Sequence, residues 1–312
     1  EPACQKGSVR QDSGVCERMN FAMSYRIMTE STSDLPQEFC KAHDIAVIGM
    51  EFVIGGHSYK ERSDNDLTPK EFYDGLRQGK ASSTVQVTSF VFQEFVEPFV
   101  AAGEDVLHVC FSSGLSGTYA SCKQGAEELM EKYPGRKVIV VDSLAASLGE
   151  GLLTYYAVMN RDKGMSIEDN ARWLEENRLH LCHWFTVDDL MHLHRGGRVS
   201  KASAVFGSML SIKPVLHVDD EGHLILVSKS RGRAASLKAL LERMKETVNS
   251  DVADQPVFIS HGDCLEDAQT LAAEIKKAFG LKQDILINNI GAVIGSHSGP
   301  GTVALFFMGS KR

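Results

Sequence analysis

Between residues 25 and 162 a short apolar run, a loop and a longer helical stretch follow one another four times, and no other feature constrains the fold as much. The apolar runs at 25–29, 45–50, 105–110 and 137–141 are strand-sized, and 105–110 has no room for polar alternation, as in strands buried on both faces. Helix signals come between them. Ser33 or Asp34 ahead of Pro36 is read as a cap opening a helix to about residue 43. Thr68-Pro69-Lys70-Glu71 has the pattern of a capping box with proline in the first turn, opening a helix to about residue 77. Further helices are expected at 90–102, 119–133 and 149–162. Residues 52–54 run extended into a Gly55-Gly56 turn, and 79–88 reads as a loop. Repeated units of this kind imply a parallel sheet with right-handed crossovers. Ligands of such sheets bind beyond the carboxyl ends of the strands, so the loops after residues 29, 110 and 141 are where chemistry is expected.

From residue 166 the texture changes. A helix at 167–177 and an apolar strand at 181–187 precede a helix that opens near 187–190 and breaks at Arg195-Gly196-Gly197-Arg198. A helix is expected at 202–211. Strands at 213–218 and 223–229 flank an Asp219-Asp220-Glu221-Gly222 turn. A helix at 234–248, a strand at 257–261, a helix at 266–279 and strands at 284–289 and 303–308 complete the pattern. The expected architecture is an N-terminal three-layer αβα domain with a parallel sheet over 25–165, and a C-terminal α/β domain with a mixed sheet over 166–312. The boundary falls near 163–166. Residues 1–24 are polar and without periodicity, and are expected to be a tag or a disordered extension.

Composition removes several functional classes. With 33 Lys plus Arg against 41 Asp plus Glu, the net charge of −8 argues against general affinity for nucleic acid. No apolar run reaches the roughly 18 residues of a membrane-spanning helix. The seven cysteines are odd in number and include no C-x-x-C pair, which favours reduced thiols in a cytoplasmic protein. His192 and His194 lack the i, i+4 spacing of a helical metal pair.

Three stretches carry candidate chemistry. Ser112-Ser113-Gly114-Leu115-Ser116-Gly117-Thr118, between a strand and a helix, reads either as an anion-binding helix N-terminus or as a plain cap with two turn glycines. It has no Walker lysine, and Thr118 stands where a G-x-S-x-G nucleophile elbow needs glycine. His297 lies in the small-residue run Gly295-Ser296-His297-Ser298-Gly299-Pro300-Gly301, read as a loop before a strand. Two basic clusters, Arg195 to Lys201 and Lys229 to Arg233, are either solvated surface or a site for phosphate or an acidic partner.

Taken together, several motifs resemble those of the DegV family of bacterial fatty-acid-binding proteins. They are IMTESTSDLP at 27–36, TPKEFY at 68–73, SSGLSGTY at 112–119, Val141-Asp142-Ser143 followed by Ser147, Gly149 and Gly151, GGRVSK at 196–201, and the stretch 291–301 around His297. They keep their order over about residues 25–310. The resemblance implies two α/β domains clasping one long-chain fatty acid, with the carboxylate held by Thr84, Ser116 and His297. Ser31, Ser33, Gly114, Gly117 and Gly295 belong to the supporting loops. It implies no metal, no cofactor and no catalytic residue. The protein would instead present its fatty acid to a separate dihydroxyacetone-kinase-like fatty acid kinase, which makes an acyl-phosphate for phospholipid synthesis. Arg231, with Lys229 and Arg233, is expected on the kinase-docking surface. The sequence departs from the family pattern at Glu30, usually Asp, and at Thr84-Val85-Gln86-Val87, usually T-S-Q-P, where Ser83 is a possible substitute for Thr84. Two other classes stand beside this reading. One is a stand-alone acyl hydrolase or acyltransferase using Ser116 and His297. The other is a phosphate- or nucleotide-binding enzyme built on the 112–118 loop.

Overall fold

A parallel sheet of four strands forms from β1 (Tyr25–Glu30), β2 (Ile45–Ile48), β6 (Asp105–Cys110) and β7 (Val138–Asp142), in the order β2-β1-β6-β7. The computed structural model describes residues 25–199 and 212–312. The extension expected at 1–24, the helix expected at 202–211 and the last two residues of the GGRVSK motif lie outside the described residues. The apolar strands are buried on both faces because successive side chains enter different cores. Ile27, Leu107 and Val141 pack with helix α5 (Leu148–Asp162) and helix α6 (Ile167–Asn177). Met28, Val106 and Val138 pack with helices α3 (Ser89–Ala101) and α4 (Thr118–Lys132). This is the expected αβα sandwich.

The second sheet has six strands: β8 (Leu181–Thr186), β9 (Ile212–Val218), β10 (Leu224–Arg231), β11 (Phe258–His261), β12 (Leu286–Asn289) and β13 (Val303–Met308). Their order is β10-β9-β8-β13-β11-β12, with only β11 and β12 parallel. Helices α8 (Arg233–Thr247) and α9 (Leu265–Phe279) share a core with one face of this sheet, whose other face meets α5. Helix α5 therefore lies between the two sheets. Its glycines have a steric cause: a Cβ on Gly149 would reach 3.0 Å from Phe306, and one on Gly151 would reach 2.7 Å from the Ser33 carbonyl oxygen.

The sequence reading needs correction in three places. Residues 79–88 are not all loop: Ser82–Val85 forms strand β5, which joins β3 (Glu51–Ile54) and β4 (His57–Lys60) in a small antiparallel sheet ordered β4-β3-β5. Neither Ser33 nor Asp34 caps the first helix, α1 (Gln37–Ala42), which begins after Pro36 without a side-chain cap. Asp34 takes a left-handed conformation (φ 51°) and is buried. His297 is not in a loop but in the last turn of helix α10 (Ala292–Ser298). By contrast, the capping box of helix α2 (Pro69–Arg77) forms as expected: the Glu71 amide donates to Thr68 Oγ1 at 3.3 Å, and the Thr68 amide donates to Glu71 Oε2 at 2.9 Å. No helix among the described residues is long and apolar enough to cross a membrane.

Candidate functional site

A cavity of about 380 Å³ opens between the two sheets, within the range of small-molecule sites. Its apolar wall includes Phe111 and Leu115 from the loop after β6, Phe185 from β8, Leu193 from helix α7 (Met191–Arg195), Ile290 just before α10 and Val293 within it. Thr84, Ser116 and His297 line the same cavity, so the three residues to which the resemblance gives the carboxylate are brought together from segments up to 213 residues apart.

Each is positioned by local structure. The pleat of β5 turns Thr84 inward and leaves Ser83 exposed, and of the two only Thr84 lines this cavity. Thr84 Oγ1 lies 2.9 Å from His297 Nε2. His297 Nδ1 has no hydrogen-bond partner among the described residues and faces Gly196, where an added Cβ would come within 2.2 Å of it. Leaving a lone pair unpaired costs less than burying an N–H without an acceptor, so the proton belongs on Nε2. Burial, and then the charge of Arg198, push the His297 pKa down to about 4, so the ring is neutral near pH 7. Ser116 Oγ accepts the Thr118 amide at 3.2 Å and lies 2.9 Å from Thr118 Oγ1.

In the sequence Arg198 belongs to a basic cluster and to the GGRVSK motif, with no role of its own assigned. Its guanidinium lines the cavity, with Nε donating to the Leu115 carbonyl at 3.2 Å. A second cavity of about 480 Å³ shares Thr84, Arg198 and His297 with the first and continues past Lys80, His192 and Arg195. No carboxylate lines it among the described residues. Thr84, Arg198 and His297 thus stand where an apolar chamber meets a basic one.

The short helix carrying His297 is gripped at its start by the N-terminal half. Asp34 Oδ1 accepts the Gly291 amide at 2.8 Å, Glu61 Oε1 accepts the Val293 amide at 3.1 Å, and Tyr73 donates its hydroxyl to the Ile290 carbonyl at 3.0 Å. Ser147 Oγ is in hydrogen-bond contact with Asp34 Oδ2. Burial, reinforced by the Glu61 charge, raises the Asp34 pKa to about 8. Nothing in the sequence signals this clamp, because its partners are far apart along the chain.

The supporting positions play packing roles. Ser31 Oγ accepts the Met50 amide at 3.0 Å and Ser33 Oγ donates to the Glu30 carbonyl at 2.9 Å, whereas Thr32 between them lines the cavity. A Cβ on Gly114 would strike the Glu221–Gly222 backbone, one on Gly117 would strike Gln86, and one on Gly295 would strike Tyr73 and Phe72. The 112–118 loop is not an open anion cradle. The amides of Ser113, Gly114, Leu115, Ser116 and Thr118 are spent on Asp142, on Ser112 and on Ser116 Oγ. The pairing that a serine hydrolase needs is also not formed among the described residues: His297 Nε2 bonds Thr84, and no acid of theirs orients Nδ1.

On the edge strand β10, Lys229 and Arg231 belong to the exposed face. Arg233 is half-buried, with Nε 2.8 Å from Asp267 and Nη1 3.7 Å from Asp188.

The chain is similar to known proteins over nearly its whole length. Residues 24–310 match a family model described as "Uncharacterised protein, DegV family". A DegV domain-containing protein of Clostridium perfringens, CPE0026, is 48% identical over 287 residues, covering 92% of this chain and 98% of that one. Among solved structures, a DegV family protein from Thermus thermophilus, described by its fatty acid binding, superposes with a TM-score of 0.81 at 30% identity, covering 91% of this chain and 99% of that one. The fatty acid binding DegV family protein SAG1342 from Streptococcus agalactiae gives 0.80 at 29% identity, covering 92% and 99%.

Proposed function

Because this chain belongs to the DegV family, we propose that it binds one long-chain fatty acid in the inter-sheet cavity and presents the carboxylate to a separate fatty acid kinase. The observation that carries this reading is the junction of the two cavities. An acyl tail fits the apolar chamber, and its carboxylate then meets the hydroxyls of Thr84 and Ser116 and the Nε2–H of His297, which exchanges its bond to Thr84 for one to the ligand. A 16-carbon tail at roughly 0.8 kcal/mol per buried CH₂ offers about 11–12 kcal/mol gross, much of it lost to ordering and desolvation. Affinity comes from the tail and orientation from the head-group contacts.

The basic outer cavity gives the reading its direction. The cations Lys80, Arg195 and Arg198 would attract the phosphates of a nucleotide held by a partner, on the side of Thr84 and His297 that faces away from the tail. A carboxylate held there needs positioning as a phosphoryl acceptor, not deprotonation. The chain itself acts as carrier and substrate-presenting subunit, with docking through the exposed face of β10 around Arg231.

Native mass spectrometry of the purified protein tests the ligand: a co-purifying long-chain acid is expected, and a nucleotide in its place would overturn the reading. Ser116→Ala and His297→Ala each remove a hydrogen bond to a charged group worth about 1.5–3 kcal/mol. Fatty acid affinity should fall roughly tenfold or more in each with the fold intact. Unchanged affinity in both would remove the carboxylate assignment.

A further inference from the structure

Behind the cavity, the ends of β1 and β6 and the second turn of α4 bring four donor side chains together. Glu30 is the last residue of β1, His108 and Cys110 share one face of β6, and Cys122 comes from α4. All four residues are fully buried. Glu30 Oε1 is 2.9 Å from His108 Nε2, 2.9 Å from Cys110 Sγ and 3.9 Å from Cys122 Sγ. The four donor atoms all lie within 4.8 Å of one another. We propose that Glu30, His108, Cys110 and Cys122 form a structural zinc site that ties the end of β1 to β6 and α4.

The donor set is what zinc selects. One carboxylate oxygen, one imidazole nitrogen and two thiolates suit a tetrahedral, borderline-soft ion, and calcium or magnesium would want oxygen throughout. Tetrahedral bonds of roughly 2.0–2.3 Å put neighbouring donors about 3.3–3.8 Å apart. The separations from Glu30, 2.9 to 3.9 Å, and the 4.8 Å limit on the whole set lie within about 1 Å of that range. The ligand Glu30 is also held from behind, since its second oxygen accepts the Phe111 amide at 3.1 Å, as outer contacts do at metal centres.

The charges of the four side chains fit the same picture. Burial opposes both ions of the Glu30–His108 pair, yet the pair wins: His108 is raised to about 10 and Glu30 is lowered. Both thiols direct their protons at the same Glu30 oxygen. A second carboxylate, Glu150, lies close enough for its pKa to be raised, by burial first and then by Glu30, and its Oε2 has no partner among the described residues. So much buried polarity is poorly explained as a source of stability, because apolar residues of the same volume do as well or better. Zinc would displace the extra proton of His108 and both thiol protons, releasing three. The resulting site carries a net −1, as a three-thiolate, one-imidazole zinc site does. Its position gives it a purpose: Glu30 immediately precedes the Ser31–Ser33 turn, and Cys110 and Cys122 bracket the 112–118 loop, so one ion would brace both loops that line the cavity.

Because the donors are buried, metal should enter as the chain folds. The test is to unfold the full chain in denaturant with reductant, refold it with zinc, with cobalt or with chelator, and measure bound metal after gel filtration. About one metal per chain is expected. The cobalt form should show thiolate-to-metal absorption in the near ultraviolet and visible bands of a tetrahedral ion, and the zinc form should melt above the chelated one. Cys110→Ser/Cys122→Ser should lower metal content at least roughly tenfold and abolish the thiolate band. Should that variant fail to fold, Glu30→Gln removes one ligand at constant volume and is expected to weaken zinc retention likewise. Refolded wild type without zinc, or full metal retention in the ligand variants, overturns the proposal.

Discussion

The His297 ring shows how far a residue's identity is set by its neighbour. Gly196 has ordinary helical backbone angles (φ −72°, ψ −8°) that any residue adopts, so its lack of a side chain is not a demand of the turn. The demand comes from His297, whose Nδ1 would sit 2.2 Å from a Cβ at that position. Gly196→Ala should therefore displace the imidazole from Thr84 and weaken fatty acid binding about as much as His297→Ala, roughly tenfold. Combined in one chain, the two changes should cost little more than either alone, because they remove the same contact. Isothermal titration of a saturated long-chain acid against the single and double variants would read this. Additive losses would mean that Gly196 serves something other than the imidazole. Thr84 stood in the sequence with Ser83 as a possible substitute, and the two differ only through the two-residue period of a strand that four residues, Ser-Ser-Thr-Val, barely announce.

At the scale of the element, α10 is a seven-residue helix held by carboxylates of the other half. An isolated helix of that length has no stability of its own, so Asp34 and Glu61 hold its position and hence that of His297. Asp34 has a pKa near 8 in the folded chain, against 3.8 ordinarily. Between those values the folded state binds more protons at this group than the unfolded state. Its contribution is thus complete below about pH 4 and is lost as pH rises through 8. From pH 6 to pH 8 this one group should cost about 2 kcal/mol of stability. Asp34→Asn cannot ionise, keeps an acceptor for the Gly291 amide, and should flatten that part of the pH profile. Urea midpoints for both proteins at pH 6, 7 and 8 would show it, and parallel profiles would refute the assignment.

For the whole molecule, a carrier must expose the head of its ligand without releasing the tail, so docking and binding should be separable. Arg231 lies on the exposed face of the edge strand β10, whereas Arg233 is committed to Asp267 and Asp188. Arg231→Ala should leave fatty acid affinity within error while slowing acyl-phosphate formation several-fold when kinase is limiting. Higher kinase concentration should restore the rate. Added salt should shrink the difference, because surface charges act chiefly on encounter. A loss of fatty acid binding would place Arg231 in the pocket, and unaltered kinetics at every kinase concentration would move the docking face elsewhere.

What the sequence determined by itself is what depends on neighbours in the chain. The strand–helix alternation, the Thr68–Glu71 capping box and the apolar strand β13 follow from periodicity and local hydrogen bonding, and the structure has them where those signals fall. The resemblance to the DegV motifs implied Thr84, Ser116 and His297, which the fold brings to one cavity. Tertiary structure decided the rest. It paired Ser82–Val85 with β3, drew Asp34 away from a helix cap to the Gly291 amide 257 residues on, and turned Arg198 from a surface basic cluster into the cavity wall. In each case the deciding partner is distant in sequence, and the free energy comes from burying or pairing a polar group that local propensity would leave in water.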